Sequence, residues 1–182
     1  MIRLKTILEQ VSAEEQINDL LDKIKSKQYE RIGAGDNGIV YAIPGTDYVF
    51  KITRERDEFD VASVIVGRSS EFTCFVPVVY VNDSEKMYIM RNADPLPTQY
   101  KTAIDNFYTR YTKFALDMQG EVSIFDYLDA EGSRETETPL VDFLRQLQRQ
   151  VQRTGIVEFD LDLDFKSDNV MMYQSKMVLV DW

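Results

Sequence analysis

The sequence predicts an α+β protein with a β-rich front and a mainly helical back. Short β-like runs broken by turn residues fill positions 30–91, and helical spacing takes over after Pro95 and Pro97. A short apolar hairpin, Val170-Met171-Met172-Tyr173 then Val178-Leu179-Val180, follows the helices. At 182 residues, 44% hydrophobic and 12% aromatic, the chain is long enough to bury a real core as one domain or two small lobes.

Ser12 followed by Glu15 has the spacing of a capping box. The helix it would open carries Ile17, Leu20, Leu21 and Ile24 on one face. From Tyr29 the period shortens. Glu30 to Gly33, Ile39 to Ile43 and Tyr48 to Thr53 read as strands, with Pro44-Gly45-Thr46-Asp47 turning between the last two. Arg56 to Val66 reads as a helix with Phe59, Ala62, Ile65 and Val66 on one side. Two further strands are expected over Val76 to Val81 and Met87 to Arg91, around the turn Asn82-Asp83-Ser84. Helices follow over about 98–118 and 121–129, and a third starts near Pro139 with Leu140, Phe143, Leu144, Leu147 and Val151 in phase. Glu131 through Thr138 reads as an acidic loop.

Composition removes several function classes. A formal charge of −10 argues against a broad grip on nucleic acid, which needs clustered Lys and Arg. The single cysteine, Cys74, rules out an internal disulfide and a multi-cysteine zinc site, and beside Phe72 and Phe75 it reads as a buried apolar residue. With no histidine, acid–base work falls to carboxylates or lysine. No apolar run reaches membrane-span length and no signal h-region opens the chain, so a cytoplasmic protein is expected, with no membrane partner.

Two constellations carry chemistry. Gly33-Ala34-Gly35-Asp36-Asn37-Gly38-Ile39-Val40 reads G-x-G-x-x-G-x-V. Such glycines suit a dinucleotide turn, a plain hairpin, or a hairpin whose backbone approaches phosphates. A dinucleotide turn leads from strand into helix, whereas β-like residues lie on both sides here. Downstream, Lys51 interrupts the apolar run Tyr48-Val49-Phe50-Lys51-Ile52, on the face of Val49 and Thr53. An inward lysine needs phosphates or a carboxylate; an edge lysine would simply be solvated. Glu58, in phase with Val61, Ala62 and Ile65, is the expected carboxylate, with Glu55 as the other candidate. Near the end, Asp164-Phe165-Lys166-Ser167-Asp168-Asn169, a hairpin and Asp181 supply the oxygen donors that phosphoryl transfer uses.

In this order the motifs resemble those of protein kinases of the eukaryotic-like superfamily, over about Tyr29 to Trp182. The short run from Asp164 to Asp181 is similar to that of compact bacteriophage serine/threonine kinases. The resemblance implies an N-terminal helical extension at 1–28, a β-rich N-lobe with one αC-type helix at 29–92, and a small helical C-lobe at 93–182. It also implies the cofactors ATP and Mg²⁺. Gly33, Ala34, Gly35, Asp36, Asn37, Gly38 and Val40 would line the ATP site, and Lys51, paired with Glu58, would touch its phosphates. Met90 would be the gatekeeper, with Arg91 to Ala93 holding adenine through backbone groups. Asp164 would accept the hydroxyl proton, Lys166 would steady the γ-phosphate, and Asn169 and Asp181 would bind the metal.

Departures shape the expected function. Asp162-Leu163 replaces the family's His-Arg, so an activation-loop phosphate has no arginine to receive it. Asp181-Trp182 lacks the glycine of D-F-G, and no activation segment or later helices follow. Alternation along an exposed strand is one reading of the acidic series Glu158, Asp160, Asp162, Asp164 and Asp168; it suits Asp160 and not Asp164. The expected activity is transfer from ATP to serine or threonine of a protein substrate, in the host cytoplasm for a phage protein. A kinase-fold pseudokinase or inhibitor that binds a partner protein is the alternative. A small-molecule kinase is the third, with Lys166 weighing against it.

Overall fold

The computed structural model describes residues 4–118, 122–132, 138–154 and 166–181. The chain divides into two units, Met1–Gly67 with Val78–Asn92, and Arg68–Pro77 with Ala93–Trp182. The class is α+β, as the strand and helix patterns require.

The first unit contains α1 (Leu4–Lys25), β1 (Glu30–Gly35), β2 (Gly38–Ala42), β3 (Tyr48–Thr53), α2 (Arg56–Ile65), β4 (Val78–Asn82) and β5 (Met87–Arg91). Its strands form one antiparallel sheet in the order β1-β2-β3-β5-β4. Register places Gly33, Val40, Lys51 and Tyr88 in one row across four strands, and Tyr41, Phe50, Ile89 and Tyr80 in the next. Because side chains alternate, these two rows face opposite ways.

Phe50 and Ile89 join Leu20, Ile43, Tyr48 and Met87 in a buried cluster, against which Leu21 and Ile24 of α1 also pack. Tyr41 stacks on Phe50 at 4.8 Å, and Tyr29 meets both rings edge-on. Helix α1 is thereby fixed to one sheet face, a fully buried leucine such as Leu20 contributing roughly 1.5–3 kcal/mol. The helix starts at Leu4, so Ser12 lies inside it and caps nothing. Residues 4–11 contain no glycine or proline to stop a helix, and that outweighs the Ser-x-x-Glu spacing. On α2, Phe59, Val61, Ala62 and Ile65 are buried together with Glu58. Gly67, at a left-handed φ of 70°, ends this segment and donates its N–H to the Val78 carbonyl.

The second unit contains α3 (Thr98–Met118), α4 (Ile124–Glu131), α5 (Thr138–Thr154), β6 (Val170–Tyr173) and β7 (Lys176–Leu179). Its core draws Ile104 and Phe107 from α3, Tyr127 and Leu128 from α4, and the expected face of α5, Leu140 through Val151. Helix α4 starts later than its sequence pattern suggested because Ser123 and Asp126 form a capping box. Glu131 is its last residue and Gly132 its cap, not the start of a loop. Gln174 and Ser175, at φ 49° and 64°, make the two-residue turn between β6 and β7. The expected strand from Val76 is also shorter, beginning at Val78. Pro77 offers no N–H to a ladder, and Val76 donates instead to the Leu179 carbonyl at 2.9 Å.

Candidate functional site

The G-x-G-x-x-G segment is a strand–turn–strand hairpin: Gly35 pairs with Gly38, and Asp36-Asn37 form the turn. The glycines are not equivalent. A Cβ on Gly38 would collide with the Ile52 carbonyl oxygen and lie 3.1 Å from Thr53 Cα, so packing alone demands glycine there. A Cβ on Gly33 would meet only Val40 at an ordinary 3.8 Å, and one on Gly35 would meet nothing within 4 Å. Neither residue has a left-handed φ. Gly33 stands at the irregularity in the β1–β2 register after Arg31, where glycine is common, so the hairpin's own geometry leaves only Gly35 of the three without a packing reason. Ala34, Asp36 and Asn37 are exposed, while Val40 is half-buried in the row that leads to Lys51.

Lys51 is not a solvated edge residue. It lies on central strand β3, 4% exposed, with Nζ 2.6 Å from Glu58 Oε1. Glu55 is exposed at the N-cap of α2, so Glu58 is the carboxylate that meets the lysine. Burial of both charges makes the pair mutually dependent, since each ion offsets much of the other's desolvation. Two residues that the sequence reading did not single out complete the cluster. The Tyr88 hydroxyl donates to Glu58 Oε1 at 2.5 Å, and the Thr53 hydroxyl donates to Oε2 at 2.6 Å. Their signal was available: Thr53 shares the Lys51 face by alternation, and Tyr88 is its cross-strand neighbour.

Met90 is buried on β5 opposite Val49, in phase with Tyr88. The Arg91 guanidinium lies 4.2 Å above the Tyr48 ring centroid. The Asn92 N–H donates to the Asp47 carbonyl at 2.9 Å, which fixes the chain as it leaves the first unit. Ala93 is half-buried and opens the second unit.

In the second unit, Asn169 and Asp181 flank the β6–β7 hairpin. The Val180 N–H donates to the Asn169 carbonyl at 3.0 Å, and the Asn169 N–H to the Lys166 carbonyl at 3.0 Å. Asn169 and Asp181 are half-buried, and Lys166 is exposed. Asp164 and the acidic series Glu158, Asp160 and Asp162 lie outside the described residues; Asp168 is exposed. Cys74 is buried, and desolvation pushes its thiol up to about 12. It is an inert core residue, as its aromatic neighbours suggested.

Along the chain run a five-stranded antiparallel sheet with one helix between its third and fourth strands, then helices and a hairpin. No family model matches the sequence, and no curated protein matches it. Among solved structures the chain is similar to a choline/ethanolamine kinase family protein from Mesorhizobium loti, at 14% identity and a TM-score of 0.42. That similarity covers 90% of this chain and 64% of the other, less than two thirds of its length. The chain is also similar to APH(2″)-IIa, solved in a ternary complex with streptomycin and ATP, at 14% identity and a TM-score of 0.33, over 98% of this chain and 70% of that one.

Proposed function

We propose that this chain is a Mg²⁺-dependent phosphotransferase that moves the γ-phosphoryl group of ATP to serine or threonine hydroxyls of protein substrates. The observation that carries this reading is Lys51: buried on a central strand, paired with Glu58 at 2.6 Å, and in the sheet row that begins at the glycine hairpin. A buried ion pair is a poor way to stabilise a fold compared with apolar packing, so its presence calls for another role. Contact with nucleotide phosphates is the role that the adjoining glycines suit.

The oxygen donors of Asn169 and Asp181, an amide and a carboxylate, are hard ligands that suit Mg²⁺, which commonly takes one or two protein oxygens and completes its shell with phosphate and water. Bound there, the metal would supply neutralising charge to the phosphates. In the proposed reaction the acceptor hydroxyl oxygen bonds to the γ-phosphorus, the bond to the ADP oxygen breaks, and the hydroxyl proton goes to Asp164. Lys166, exposed and two residues after Asp164, would stand beside the transferring group. Its position is also what favours a protein acceptor, because that spacing is the one the resemblance to protein serine/threonine kinases carries.

Incubation of the chain with γ-labelled ATP, Mg²⁺ and a bacterial lysate tests this. The expected result is labelled protein bands bearing phosphoserine or phosphothreonine, lost in Asp164→Ala and Lys51→Met. Equal labelling by wild type and Asp164→Ala would overturn the reading. Label confined to the small-molecule fraction would move the acceptor class. ATP binding without turnover, together with a stable partner in a pull-down, would make the chain a binding protein instead.

A further inference from the structure

Glu58 is gripped by more than its lysine. Oε1 accepts from Lys51 and Tyr88, and Oε2 accepts from Thr53. Lys51, Thr53, Glu58 and Tyr88 are each at most 4% exposed. Thr53 also reaches in two further directions. Its Oγ1 lies 3.0 Å from the Asn37 carbonyl in the turn of the glycine hairpin, and it accepts the Glu55 N–H at 3.1 Å where α2 begins. A hydroxyl has one proton, so Thr53 donates to Glu58 or to Asn37 but not to both at once. The Arg54 N–H holds the same Asn37 carbonyl at 2.8 Å, which keeps the hairpin tethered while the Thr53 proton is on Glu58.

Valine and phenylalanine would fill these two positions equally well in shape and would avoid burying hydroxyls, a costly step unless each finds a partner. Here both find the same partner. A carboxylate with a single lysine can rotate away, whereas one with donors on both oxygens is held in one orientation. We propose that Thr53 and Tyr88 are positioning residues, a hydroxyl clamp that fixes Glu58, and through it Lys51, while Thr53 joins the turn of the glycine hairpin to the start of α2. The clamp itself follows from geometry within the first unit; its consequence for nucleotide binding rests on the function proposed above. With the clamp closed, α2 presents Glu58 to Lys51 without phosphorylation or a partner protein to bring it in.

Thr53→Val and Tyr88→Phe test the clamp, with Thr53→Ser as the conservative control. Two quantities are measured: backbone hydrogen exchange without nucleotide, and MgATP affinity by calorimetry. Both hydroxyl deletions are expected to speed exchange of the α2 amides about 10-fold relative to those of α5, consistent with losing a buried hydrogen bond to a charged group. Thr53→Val should also speed exchange at Asn37, Gly38 and Arg54, and Thr53→Ser should match wild type. MgATP affinity is expected to fall about 5- to 10-fold in Thr53→Val and Tyr88→Phe and to recover in Thr53→Ser. Exchange in α2 unchanged by both deletions, or Thr53→Ser behaving like Thr53→Val, would overturn the clamp. Faster α2 exchange in a chain whose wild type binds no MgATP would uphold the clamp and sink the nucleotide reading, so the two failures are distinct.

Discussion

Glu58→Ala removes the carboxylate 2.6 Å from the buried Lys51 ammonium, and losing one partner of a buried pair costs about 3–5 kcal/mol. Replacing both at once, as Lys51→Met with Glu58→Leu, removes the desolvated charges together and is expected to recover part of that loss, short of wild type because the buried Tyr88 and Thr53 hydroxyls then lose their acceptor. Urea melts of the single and double variants check this; a double variant as unstable as Glu58→Ala would show that the pair is needed for folding itself. If the chain turns over nucleotide as proposed, the single and the double variant are both expected to lose that turnover. Cys74 gives a second residue-level prediction. Its thiol is raised from an ordinary 9.0 to about 12 by desolvation, so the folded state holds the proton more tightly than the unfolded chain. That contribution is complete below pH 9 and is lost as pH climbs from 9 toward 12, at up to about 1.4 kcal/mol per unit. Wild type should therefore lose stability relative to Cys74→Val between pH 8 and 10.5, and parallel stability curves would refute the shift. At this scale Lys51 and Glu58 were legible in the sequence, because a charge in an apolar strand and a carboxylate on an apolar helix face are conspicuous. Thr53 was legible only as a residue on the Lys51 face, and Tyr88 only once the register set it opposite Lys51, since threonine and tyrosine are ordinary strand residues.

Glycine spacing announces an element but does not say which glycine holds it together. Gly38→Ala would push a methyl into the β3 backbone at Ile52, an overpacking expected to cost about 1–3 kcal/mol. Gly35→Ala meets open space, and its expected effect on thermal stability is small. If the hairpin covers phosphates, Gly35→Ala should instead weaken MgATP binding, whereas a purely structural turn would leave affinity unchanged. Thermal melts and calorimetry on the two variants separate these outcomes. Most elements were readable from period alone, β3 and β5 to the residue, because alternation and turn residues agree there. The errors lie where a local rule met a stronger one. Ser12 was overridden because the run before it holds no glycine or proline to stop a helix, and Pro77 cut a run of β-branched residues that composition alone would join. The packing of Leu20 against the sheet could not be read from an amphipathic pattern, which gives a helix its face but not its neighbour.

Across the whole molecule the governing quantity is the formal charge of −10. If the chain binds a nucleotide as proposed, that ligand is an anion, and the long-range field opposes its approach. Added salt screens the distant charges first, because the Debye length is about 10 Å at 0.1 M. Association of MgATP is therefore expected to quicken about two- to fivefold between roughly 20 and 200 mM NaCl, a modest change set by screening of that field. This is opposite in sign to a nucleic-acid-binding protein, whose affinity falls steeply with salt as phosphate contacts release counterions. Stopped-flow mixing with a fluorescent ATP analogue measures the rate directly. An association rate that instead dropped with salt would mean that a local cationic funnel, not the net charge, governs nucleotide approach. In that case binding should depend on exposed Lys166, and Lys166→Gln should abolish the salt dependence while leaving the buried Lys51–Glu58 pair untouched.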